Sequence, residues 1–169
     1  FNNDFHVTDF LKAPNPLIQK QFSRIMSLKD GTKKMSKSDP SGLSRINLTD
    51  EKDEIFNKIK KAKTDPMPMP KDIKDLAERP EAENLLGIYS SLQNQKIENS
   101  INEFEGKQFS EFKDKLSNAL VEKIGPISKE IKRLINDEKY LDEILLKGSE
   151  KADKIASKKI KEIKELVGF

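Results

Sequence analysis

A chain of 169 residues, 34% of them apolar and 36% charged, has room for one ordinary domain or two small ones with wide solvated faces. It contains no cysteine and a single histidine, His6, which excludes a disulfide framework, a thiolate metal site and histidine-rich catalysis. The net charge of +3 lies too near balance to argue for a nucleic-acid partner from the total, so only local clustering of charge can carry that argument.

The first 28 residues are mixed. APNP at residues 13–16 reads as a turn, and SRIMSL at 23–28 as a candidate short buried strand. Residues 30–49 form a loop rich in Gly, Ser and Lys that closes on a second candidate strand, SRINL. From Asp50 onward the pattern is helical, which favours a packed fold over disorder. Asp50 is placed to N-cap a helix with Ile55, Phe56, Ile59 and Ala62 on one face. TDPMPMP at 64–70 cannot propagate a helix and reads as a rigid extended connector. A second helix is predicted from Pro80, burying Leu85, Leu86, Ile88, Tyr89 and Leu92, and a short third one, IENSINEF, ends before Gly106. Ser110 is expected to cap the next, with Phe112, Leu116, Ala119, Leu120 and Ile124 inward and a bend at Gly125-Pro126. Ile127, Ile131, Leu134 and Ile135 continue the period. Leu141, Ile144 and Leu145 form one more set, stopped at Gly148. A last helix is predicted over 149–167, with Gly168 as its stop and an inward stripe of Ala152, Ile155, Ala156, Ile160, Ile163 and Val167. No apolar run approaches the ~18 residues of a membrane span. FNNDFHVTDF lacks the basic start and apolar stretch of a signal peptide, so the expected location is the cytoplasm.

The stretch DGTKKMSKSDPSG, residues 30–42, carries no apolar period. Lys33, Lys34 and Lys37 are compact charges on flexible stems, set on a segment with glycines at both ends. With the hydroxyls of Ser36 and Ser38 they suit a polyphosphate that changes charge as it reacts. The plainer reading is a solvated surface loop, because loops are generally polar and exposed.

The order of residues adds to this. KMSKS at 34–38 matches the second signature of class I aminoacyl-tRNA synthetases. RIMSLKDGTKKMSKSDPSG, KIKKAKTDP and ENLLGIYSSL, in that order, closely resemble bacterial tryptophanyl-tRNA synthetase. The resemblance runs over nearly the whole chain. It implies a mainly α protein, in which the C-terminal remnant of a Rossmann-type nucleotide-binding domain carries the KMSKS loop and an α-helical bundle follows. The implied division is 1–64 for the catalytic part, 65–80 for a proline-rich connector and 81–169 for an anticodon-binding bundle. The implied function is tryptophan–tRNA ligation: tryptophan is activated by ATP to tryptophanyl-adenylate and passed to tRNA(Trp), with AMP and pyrophosphate released. ATP and Mg²⁺ are the implied cofactors.

Residue by residue, the resemblance makes Lys34 and Lys37 catalytic, as the cations that neutralise the departing pyrophosphate. It adds Ile25, Met35, Ser36 and Ser38 to the ATP-binding set. Ile25, with Met26 beside it, would lie against adenine, where an apolar side chain packs and the backbone reads the ring edge. Taken alone, both residues read as core packing. Lys154, Lys158 and Lys161 project opposite the apolar stripe of the last helix and are candidates to follow tRNA phosphates. A solvated face balanced by Glu150, Asp153, Glu162 and Glu165 is the alternative. The family's first signature, its tryptophan pocket and its GxDQ-type segment find no match. The expectation is therefore a C-terminal half, inactive alone, of an enzyme that is a homodimer at full length. No metal-ligating residue is assigned, and His6 falls outside any motif. The competing readings are a non-catalytic helical RNA-binding module and a plain helical scaffold.

Overall fold

The structure is a computed structural model that describes residues 1–18 and 22–169. It is mostly helical, with one small antiparallel hairpin among the described residues. The chain divides into two compact units, Gln19–Lys132 and the combination of Phe1–Ile18 with Arg133–Phe169.

The first unit opens on the hairpin. Strands β1 (Met26–Ser27) and β2 (Asp30–Lys34) pair antiparallel, with Met26 opposite Lys34 and Ser27 opposite Asp30 across a register irregularity. Only two residues of SRIMSL therefore enter a ladder. Leu28, at the turn, is fully buried; its N–H donates to the Ser44 carbonyl and its carbonyl accepts from the Lys63 N–H. The expected strand SRINL does not form. Its first residue, Ser44, ends a short 3-10 turn, Gly42–Ser44. Polar side chains take over the backbone groups there: Ser44 Oγ donates to the Ser41 carbonyl and the Arg45 guanidinium to the Asp39 carbonyl.

Helix α1 (Lys52–Lys61) starts one residue later than the sequence suggests. Glu51 is its cap, in a reciprocal box with Glu54. Asp50 turns inward, where its carboxylate lies 2.5 Å from Lys58 Nζ and accepts the Asn47 N–H. Burial pushes this carboxyl up, but Lys58 and Asn47 outweigh it and hold the group below its ordinary value. The connector is stitched down at both ends. Arg79 grips Asp65 through two bonds of 2.8 and 2.9 Å, and buried Met69 exchanges backbone bonds with Gly106 and Lys107.

Helices α2 (Pro80–Leu92) and α3 (Ile97–Phe104) follow the predicted pattern, with Pro80 at the first helical position. Helix α4 (Phe109–Ile135) includes Ser110 in its first turn instead of using it as a cap, and it runs unbroken through Gly125-Pro126. Pro126 and Glu122, the residue whose carbonyl loses its N–H partner, are both exposed, so water can take that bond and the helix continues. The core lies between these helices. Ile55, Ile59, Leu85, Leu86, Ile101 and Leu116 are fully buried around edge-on contacts among Tyr89, Phe104 and Phe112, with ring centroids 4.9–5.9 Å apart. The Tyr89 hydroxyl donates to Glu103, and burial together with that carboxylate pushes its pKa up to about 12.

The second unit contains helix α5 (Glu138–Val167), capped by Asp137 and ended by Gly168 in the left-handed region at φ 88°. Gly148 does not stop it. No residue of α5 is buried, and Ile155 and Ile160 of the predicted inward stripe are 75% and 51% exposed. The helical period identifies which face is apolar, but not what covers it. In the N-terminal segment of this unit the rings of Phe1, Phe5 and Phe10 cluster, and Lys159 Nζ sits 4.1 Å above Phe10.

Candidate phosphate-binding hairpin

The lysine segment begins on a paired strand and ends on a tight turn. Lys34 closes β2, and the next residue, Met35, donates its N–H to the Ile25 carbonyl at 2.9 Å while its half-buried side chain packs on the core. Beyond Met35 the chain folds on itself. Ser36 and Ser38 share a hydroxyl bond of 2.9 Å, the Asp39 N–H reaches the Ser36 carbonyl, and Asp39 in turn accepts from the Ser41 N–H. Lys37 is exposed within this turn, and Lys34 is exposed at the strand end.

The charges beneath the turn are arranged to leave these two cations available. Asp30 accepts from the Thr32 hydroxyl at 2.6 Å and from the Thr32 N–H, and it pairs with Lys33 at 3.3 Å. Those contacts, the Thr32 hydroxyl first, hold its carboxyl down at about 2. Among the described residues, the ion pairs of the segment stop there: none reaches Lys34 or Lys37. The turn therefore offers two exposed ammonium groups and two hydroxyls on a backbone fixed from below. That donor set fits an anion with several oxygens. No cluster of three or more His, Cys, Asp or Glu that could hold a metal ion occurs among the described residues.

On the adenine side, the residue beside Ile25 has its backbone held from within the chain. Ile25 and Met26 are both half-buried. The Met26 N–H donates to Asn84 Oδ1 and its carbonyl accepts from Asn84 Nδ2, both at 2.9 Å, so both of its backbone groups are engaged by one side chain. At Ile25 the carbonyl is engaged by Met35. Asn84 is the residue that sequence reasoning missed. An asparagine set against the apolar run of ENLLGIYS was the available signal, because a carboxamide buried by such a run must find partners.

Lys154, Lys158 and Lys161 all lie exposed on α5. Lys161 stands 4.0 Å from Glu165, and Lys158 adds to the field that, with Lys159, lowers the Glu162 carboxyl. These three lysines and the KMSKS residues belong to different compact units.

A family described as tRNA synthetases class I (W and Y) matches residues 1–124. A tryptophan–tRNA ligase of Caulobacter vibrioides is 47% identical over 169 residues, which covers 100% of this chain and 49% of the relative. One from Agrobacterium fabrum is 51% identical over 166 residues, 98% of this chain and 47% of the relative. The crystal structure of tryptophanyl-tRNA synthetase from Mycoplasma pneumoniae superposes with a TM-score of 0.81 at 25% identity, over 99% of this chain and 49% of that one. The chain thus spans about half the length of the curated relatives it matches.

Proposed function

We propose, for a chain that belongs to the class I tRNA synthetases of the tryptophan and tyrosine type, that it forms the C-terminal half of a tryptophan–tRNA ligase. The whole enzyme joins tryptophan to ATP: the amino-acid carboxylate attacks the α-phosphorus, tryptophanyl-adenylate forms and pyrophosphate leaves. The tryptophanyl group then passes to tRNA(Trp), with release of AMP. In this reading residues 1–64 are the end of a Rossmann-type catalytic domain and carry the KMSKS loop. Residues 65–80 are the connector, and 81–169 the anticodon-side bundle. Partners in the whole enzyme are tryptophan, ATP, tRNA(Trp) and a second copy of the chain, in the cytoplasm. The structural fact that bears on location is narrower: no helix is long and apolar enough to cross a membrane among the described residues.

The observation that carries the proposal is the pair Lys34 and Lys37, exposed and without acidic partners among the described residues, at the end of the hairpin and in the turn that follows it. As the bond to the α-phosphorus breaks, negative charge grows on the departing pyrophosphate, and two ammonium groups already in place stabilise it without reorganisation. Ser36 and Ser38 exchange their mutual bond for bonds to phosphate oxygens. Ile25 and Met35 flank the adenine ring with apolar side chains. Mg²⁺ comes with the nucleotide phosphates in this reading.

Pyrophosphate exchange by the whole enzyme tests this. It should require tryptophan, and Lys37→Ala should lower it ~100-fold or more, the effect of one transition-state donor. Normal turnover by that variant would refute the loop assignment.

A second reading, a helical module that binds RNA without catalysis, draws on the exposed Lys154, Lys158 and Lys161 of α5. Filter binding at two salt concentrations distinguishes it. Equal retention of tRNA(Trp) and an unrelated RNA would refute anticodon reading by this chain.

A further inference from the structure

One face of α2 is given over to the hairpin. Pro80, Asn84 and Gly87 recur at the four- and three-residue spacing that lines up one side of a helix. Leu85, Leu86 and Tyr89, between and beyond them, enter the core cluster instead. At the N-terminal end of this face Gly31 lies against the Pro80 peptide so closely that an added Cβ would come within 2.6–2.8 Å of its backbone. The Gly31 N–H also supports the Glu81 carboxylate, which Lys63 holds at 2.8 Å and, more than any other group, keeps below its ordinary value. In the middle, Asn84 takes both backbone groups of Met26. At Gly87, a Cβ would meet the Phe22 ring at 2.0 Å. Three successive contacts on one helix face thus fix Phe22, Met26 and Gly31, which flank and include β1 and the start of β2.

We propose that Asn84 is a positioning residue for nucleotide binding. Its carboxamide acts as a surrogate strand: it presents one acceptor and one donor to Met26 in the spacing a neighbouring peptide would use. That fixes the height and rotation of Ile25, the residue before Met26, relative to Met35 across the hairpin. Asn84 touches no substrate in this scheme. It acts through Ile25, and its effect belongs to ATP and not to tryptophan. The inference rests on the reading of the hairpin given above.

The test uses the whole ligase, with ATP and tryptophan each varied in pyrophosphate exchange and rates normalised by active-site titration. Asn84→Asp is the most informative variant. It is isosteric and keeps the acceptor for the Met26 N–H, but it loses the donor and sets a charged oxygen against the Met26 carbonyl. Asn84→Ala removes both bonds. Each should raise the KM for ATP at least tenfold and leave the KM for tryptophan within twofold of wild type. Gly31→Ala, which pushes the same hairpin off α2 from the other end, should shift the KM for ATP in the same direction and keeps the proposal testable if an Asn84 variant fails to fold. A KM for ATP within twofold of wild type in the folded variants, with only the active fraction or melting temperature reduced, would overturn it, because Asn84 would then hold the fold and nothing more. Failure of the underlying reading looks different: wild-type exchange would not depend on tryptophan, or Lys37→Ala would exchange normally.

Discussion

The hairpin and α5 both carry exposed lysines, and they differ in what lies beneath. Around Lys34 and Lys37 the backbone is held at several points, from the Ile25–Met35 bond and the Asp39–Ser36 turn to the Asn84 clamp on Met26. Under Lys154 and Lys158 lies a helix with no buried residue. A cation on a fixed backbone can be preorganised for one particular anion, whereas a cation on a solvated helix supplies field without geometry. Charge read from the sequence does not distinguish the two; the anchoring does.

Several measurements would break or sharpen this contrast. The largest effect on stability is expected from Lys58→Met, which strands the Asp50 carboxylate in the interior of the anchored unit and should cost about 3–5 kcal/mol in urea unfolding. Acid tests the same pair. Asp50 is held below its unfolded value, so its contribution is fully present above about pH 4 and lost as pH falls through the folded pKa. Lys58→Met should weaken that acid dependence, and an unchanged pH profile would mean that the pair is not what lowers Asp50. Next is Leu116→Ala, expected to destabilise by about 2–5 kcal/mol as a cavity in the core. Gly87→Ala should follow at about 1–3 kcal/mol, because its methyl group must displace the Phe22 ring. The smallest effect belongs to α5: Ile155→Ala should stay within about 0.5 kcal/mol of wild type. A loss there as large as that of Leu116→Ala would show that α5 is covered by something and would remove the contrast. For RNA, Lys158→Ala should weaken tRNA retention across all sequences and lower the salt slope by about one unit.

Much of the anchored unit was legible from the chain alone. The inward set of α2, the existence of α3 and the inward set from Phe112 to Ile124 follow directly from helical period, and KMSKS with its flanking blocks points to the family. The failures have separate physical causes. Asp50 looked like a cap because capping and ion pairing use the same carboxylate, and Lys58, eight residues on, decides between them. Gly125-Pro126 looked like a bend, but α4 continues through it, because a proline on an exposed stretch of helix leaves its orphaned carbonyl within reach of water. SRINL looked like a strand, but the Ser44 carbonyl is taken by the Leu28 N–H and the Asn47 N–H by the Asp50 carboxylate, which leaves no ladder to form. The inward stripe of α5 was misjudged because amphipathicity describes a helix and not its surroundings. The clamp on Met26 was invisible because it joins residues 58 positions apart.

The close approach of Gly31 to Pro80 limits how this signature can be reused. Residues 25–44 grafted onto another scaffold would carry the lysines but leave behind the proline peptide and the carboxamide that set their pose. A minimal transplant must therefore include the first two turns of α2, and a designer who copied the five-letter motif alone would obtain a cationic loop with no fixed direction.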